Sequence, residues 1–173
     1  MTSNSNHSEI EPFAFLNGSR SYCDAANFLM EAKADLRRSY DPIYMLYFHA
    51  AELALKAFLR FKGVSTKEVK KLKHHLGKLY STAKEMGLVV DTLDSIELEN
   101  VVSLLYSGNR EEGFRYFTYS SRNMPDIEWT RVVVNSLVEG IQRETNWESQ
   151  PLGRAVKLDL IIGPPTDRAA VGS

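Results

Sequence analysis

YFHAAELALKAFLRFKG, residues 47–63, decides how the chain is read. It has no internal glycine or proline, and Gly63 supplies a natural stop for a helix. As a helix it is apolar over most of its circumference. Up to Phe61 only His49, Glu52, Lys56 and Arg60 break the pattern, and at about 100° per residue they fall within an arc of about 80°. Leu46, Ala50, Leu53, Ala57 and Phe61 lie to one side of that line, and Phe48, Leu55 and Leu59 to the other. A surface helix of a globular protein has one apolar stripe and a wide polar face. Two apolar flanks around a thin polar line therefore predict a helix that is central in a bundle or covered on its second side by another chain. Ala50, Ala51, Ala54 and Ala57 permit close helix approach, and Phe48, Leu55 and Leu59 are the candidates for a dimer face. Within the line, Glu52 and Lys56 have the i,i+4 order of a helical ion pair. Its plainest role is to fix packing, because partly buried charges must be paired.

Helical periodicity extends on both sides. Tyr22, Ala25, Ala26, Leu29, Ala32 and Leu36 predict a first helix, with Asn17 or Ser19 as its cap. Asp41-Pro42 opens the second. Ser65 with Glu68 has the form of a capping box for a third, which stops at Gly87. Asp91 is placed to cap a fourth that ends at Ser107-Gly108, and Pro125-Asp126 opens the last, carrying Trp129, Val133, Leu137 and Ile141. The expected fold is all-α, an antiparallel up-and-down bundle of about five helices. Residues 1–12 are expected to be disordered, 13–147 to form the bundle, and 148–173 to be an extended, partly disordered tail in which Val156, Leu158 and Leu160 alternate.

Composition narrows the function. The chain has 173 residues and a net charge of −1, so no global field draws it to nucleic acid or membrane. Its one cysteine, Cys23, rules out an internal disulfide and a cysteine-based zinc site. The polar N-terminus lacks the order of a secretory signal, and no apolar run approaches a bilayer span. A cytoplasmic protein with no membrane association is expected. No phosphate-binding glycine loop, zinc-binding histidine pair or nucleophile elbow is present, and no metal or cofactor is expected.

Two segments carry local chemistry. Lys67, Lys70, Lys71, His74 and Lys78 share one face if residues 66–86 are a continuous helix. Such a basic patch suits phosphates, although a solvated face looks the same in sequence. FRYFTYSSR, 114–122, interleaves Arg115 and Arg122 with Phe114, Tyr116, Phe117 and Tyr119. Aromatics beside arginine stack bases and pair phosphates, and equally they pack a loop against helix ends. Asp91, Asp94, Glu97 and Glu99 suit a helix N-terminus.

The order AAELALKAFLRFKG (50–63), KHHLGKL (73–79) and FRYFTY (114–119) ahead of a final helix resembles the HEPN family, the higher eukaryotes and prokaryotes nucleotide-binding domain. The resemblance covers roughly residues 18–146. It places Glu52 and Lys56 on the family's second-helix Glu/Lys pair, His74 on the histidine near the start of the next helix, and Arg115-Tyr116 on the Arg-Tyr pair before the last helix. His75 stands where the family usually has Asp. The resemblance implies a loop before His74, against the continuous helix that periodicity suggests. It also implies a homodimer, with a nucleotide, RNA or protein as partner. Many members are metal-independent endoribonucleases that carry an Arg followed by four to six residues and a His. Here the histidines are His7, His49, His74 and His75, and none follows an arginine at that spacing. A non-catalytic binding or regulatory module is therefore expected, with Glu52, Lys56, Arg115, Tyr116 and Arg122 as ligand-binding candidates. The alternative is an endoribonuclease of toxin or antiviral type whose non-standard site draws on His49, His74, Arg115 and Tyr116.

Overall fold

The structure, a computed structural model, describes residues 6–32, 40–109, 114 and 123–146. They form six helices: α1 (Asn6–Glu31), α2 (Asp41–Phe61), α3 (Thr66–Lys71), α4 (Leu76–Glu85), α5 (Ser95–Gly108) and α6 (Ile127–Glu144). No strand occurs among the described residues. The fold is an all-α bundle, and the count of six rather than five arises where the expected third helix divides into α3 and α4.

The central element is α2, against which all five other helices pack. Both of its apolar flanks are used within the chain. Phe48, Leu55 and Leu59, expected at a dimer face, are almost fully buried together with Ala50, Ala54 and Phe58. This corrects the interface reading. An alanine-rich side lets α1 approach closely, and Phe48, Leu55 and Leu59 are taken up by the bundle itself.

Helix α1 runs antiparallel to α2. Phe13 meets Phe61 edge-on at 5.2 Å, Ser19 Oγ donates to the Ala50 carbonyl at 2.7 Å, and Tyr47 donates to Asn27 at 2.8 Å. Ser19 is thus a buried tie between helices and not a cap. The helix is already formed at Asn6, upstream of the expected start at Asn17 or Ser19, so residues 6–12 of the expected disordered segment are helical. Leu16, Ser19, Cys23 and Ala26 form one buried face, and Leu16 lies just upstream of the predicted start. The tail 148–173 lies outside the described residues.

Caps set the other boundaries. Tyr40 rather than Asp41 occupies the cap position of α2, with Pro42 in its first turn. The Ser65–Glu68 capping box is formed in both directions. On α5 the box is built by Asp94 with Glu97, not by Asp91, because Asp94 is the aspartate with a glutamate three residues on. Asp126 Oδ1 accepts from the Trp129 amide at 2.9 Å and starts α6 as expected. Gly63 and Gly87 both have φ of +86° with nothing near a hypothetical Cβ. Alanine at either position is expected to cost about 1–2 kcal/mol through backbone conformation alone, measured as a lower urea midpoint with an unchanged slope.

Helices α2 and α6 run the same way: Tyr44 donates to the Pro125 carbonyl at one end (2.6 Å) and Lys62 pairs with Glu144 at the other (2.6 Å). The pair α4 and α5 is antiparallel, with His75 stacked on Tyr106 at 4.1 Å and Lys84 3.3 Å from Glu99. The connection from α5 to α6 is pinned at both ends. Gly108 faces the Met124 thioether, which leaves no room for a Cβ there, and Phe114 packs on Tyr44 and Phe48 at 6.2 Å.

Candidate functional site

The polar line on α2 is a seam onto which the α3–α4 turn docks. Glu52 is only 2% exposed. Lys56 Nζ, one turn on, donates to its Oε1 at 2.5 Å. His74, from the turn, places Nδ1 2.9 Å from Oε1 and 3.1 Å from Oε2, and His49 Nδ1 stands 3.9 Å from Oε2. Further along, Arg60 Nη1 donates to the Val64 carbonyl at 2.5 Å. A buried carboxylate needs its charge balanced and its lone pairs used. Here both needs are met by a cation on the same helix and an imidazole brought in by the turn.

The turn forms because α3 ends early. Leu72, Lys73 and His75 amides make short-range bonds to Val69, Lys70 and Leu72 carbonyls, and Lys73 adopts φ +50°. His75 then caps α4, its Nδ1 accepting from the Lys78 amide at 3.2 Å. The continuous helix suggested by periodicity is corrected, and the loop before His74 that the resemblance implied is present. His74 reaches the buried glutamate while its own side chain remains 70% exposed. Lys67, Lys70, Lys71 and Lys78 are all exposed, but they sit on two helices and not on one stripe. Lys73, which falls off the stripe on a continuous helix, joins them at the surface.

The HEPN domain profile matches residues 15–137. The chain belongs to the HEPN domain family. No curated protein and no solved structure matches it significantly. Within this HEPN domain the structure brings together Glu52, Lys56, His74 and His49. Arg115, Tyr116 and Arg122 lie outside the described residues. Phe114, the first residue of the aromatic segment, is buried on Phe48 and Tyr44, next to His49 in sequence.

Other polar features serve packing. Cys23, Asn27, Tyr47 and Asn135 form a network joining α1, α2 and α6. Burial pushes the Cys23 thiol up to about 12, so the weakly nucleophilic protonated form persists at neutral pH. Burial likewise raises Tyr44 to about 12 and lifts Tyr47. A groove of about 550 Å³ between α4 and α5 is lined by Gly77, Tyr80, Lys84, Glu99, Val102 and Tyr106, among others. No group of three or more His, Cys, Asp or Glu side chains suited to a metal occurs among the described residues. No helix among them is long and apolar enough to cross a membrane. Sequence reasoning missed His75 as a helix cap and the Asn27–Asn135 pair. For His75 the available signal was its place directly before the apolar pattern Leu76, Leu79, Ala83.

Proposed function

We propose that this HEPN domain is a non-catalytic binding or regulatory module, dimeric and cytoplasmic, that holds a nucleotide or RNA by its phosphates. The observation that supports this reading is the exposed lysine cluster, Lys67, Lys70, Lys71, Lys73 and Lys78, gathered around a turn fixed to buried Glu52. Lysines on a fixed turn hold a phosphate-binding surface without chemistry of their own. The dimer face lies away from Phe48, Leu55 and Leu59. Phe28 on α1 and Val132 on α6, both large apolar side chains left exposed, are the candidates we propose for it.

The test is a salt titration of binding to a fluorescein-labelled single-stranded oligouridylate. Log affinity is expected to fall linearly with log salt, and Lys70→Gln with Lys71→Gln to reduce the slope by about one to two. An unchanged slope, or no binding at low salt, would sink the reading.

One observation favours the second reading, an endoribonuclease. An imidazole held through one nitrogen by a carboxylate, on a largely exposed side chain, is the arrangement of an oriented general base. Incubation with RNA in EDTA decides between the two. Cleavage by the wild type that is lost in both His74→Ala and Arg115→Ala establishes the nuclease; intact RNA leaves the binding module standing.

A further inference from the structure

The two adjacent histidines of the turn are wired in opposite ways. His74 Nδ1 faces two carboxylate oxygens of Glu52, at 2.9 and 3.1 Å. Ionised carboxylate oxygens only accept, so Nδ1 carries a hydrogen. In the neutral ring Nε2 is then an acceptor, which a phosphate oxygen cannot use. In the protonated ring Nε2 becomes a charged donor, while Nδ1 still donates to Glu52, now as a charge-assisted pair. His75 has its Nδ1 committed as an acceptor from the Lys78 amide and its ring stacked on Tyr106. Protonating that nitrogen would break the cap of α4, so His75 is not available to receive a phosphate through it.

We infer that His74 is a pH-gated phosphate ligand at the centre of the basic turn, with Glu52 as its positioning residue. The ligand class is a phosphate monoester or diester, as carried by a nucleotide or an RNA backbone. The inference rests on the binding reading above and adds its regulation. His74 contacts Glu52, which also faces His49 and Lys56 on α2; the charged and titratable groups on the adjoining elements include Lys67, Glu68, Lys70 and Lys71 on α3, Lys73 in the turn, and His75 and Lys78 at the start of α4. Among the described residues His49 and His75 are the other imidazoles on these elements, and a phosphodiester probe, unlike a terminal phosphate, has no titration of its own in this range. His49 is held between Tyr22 and Phe48 and is 21% exposed on its side chain, whereas His74 is 70% exposed.

The experiment measures anisotropy of the labelled oligouridylate, with ATP as a competing second arm, between about pH 8 and about pH 6. Wild-type affinity is expected to rise about tenfold toward the lower pH, the size of one added charge-assisted hydrogen bond. His74→Gln should flatten the profile at the weak level and His74→Arg at the tight level, while His49→Gln and His75→Asn keep the slope. Asparagine preserves a helix cap at position 75. Displacement by ATP at a fixed pH assigns the site to a terminal phosphate, which is itself titratable near pH 6; persistence of RNA binding in excess ATP assigns it to the phosphodiester backbone. Binding that is independent of pH in the wild type, or a slope that survives in His74→Gln, overturns the inference and leaves the binding module intact. Loss of binding at every pH overturns both. Circular dichroism of His74→Arg and His74→Gln confirms that each remains folded, so the profile reads the side chain and not the turn.

Discussion

Glu52→Ala is expected to lower folding stability by about 3–5 kcal/mol, the usual effect of removing one partner from a buried ion pair. The glutamate is 2% exposed and the Lys56 side chain 12%. Its loss leaves the ammonium desolvated beside a small void and frees His74 from α2. The effect therefore has two parts, a stranded cation and an undocked turn. Urea unfolding at neutral pH reads the total. A second variant separates the parts: Glu52→Leu combined with Lys56→Met removes the stranded charge, and should recover much of the stability while leaving the turn loose. Hydrogen exchange of the amides of residues 72–76 would be faster in both variants. If Glu52→Ala unfolds with the wild-type midpoint, the seam does not hold the turn to the bundle.

Phe48→Ala is expected to be of similar size, about 3–5 kcal/mol for a fully buried aromatic side chain. Phe48 is 1% exposed and is the ring on which Phe114 rests, at 6.2 Å. Truncating it opens a cavity in the middle of α2 and removes the seat of the aromatic segment. The position of this residue in the core makes a second outcome decisive. A residue at a dimer face would change the concentration dependence of unfolding. For Phe48 the loss should be the same at low and high protein concentration, and the sedimentation profile should be unaltered at temperatures where the variant is folded. A shift in dissociation with preserved monomer stability would return Phe48 to an interface.

Much of the bundle was legible in the sequence because its helices are amphipathic and their ends carry glycine, proline or Ser/Asp caps. Gly63, Gly87, Ser65–Glu68 and Asp126 all mark real boundaries. The helical face through Leu16 was missed because its buried members include Ser19, a residue that in sequence signals a cap. The break between α3 and α4 was hidden for a related reason: Lys67, Lys70, Lys71, His74 and Lys78 fit a helix numerically, yet Lys73 sits in a left-handed conformation that no periodicity reports. Only the resemblance carried that information. The polar line on α2 was recognised, but its explanation needed three dimensions, since His74 lies 22 positions from Glu52 and no spacing rule joins them. The dimer-face reading failed because an all-round apolar helix looks the same whether its own bundle or a second copy surrounds it.

The pinned ends of the connection between α5 and α6 bear on how such a domain diversifies. Gly108 against Met124, and Pro125 held by Tyr44, fix where the segment leaves and rejoins the bundle, independently of what lies between. Closing a chain between fixed ends costs entropy that grows only with the logarithm of its length, about 0.6 kcal/mol for each doubling. Insertions that keep Phe114 seated on Phe48 and Tyr44 leave these core contacts in place. The bundle can thus act as a frame on which residues of this interval are exchanged or lengthened, and new chemistry tried, at little thermodynamic penalty.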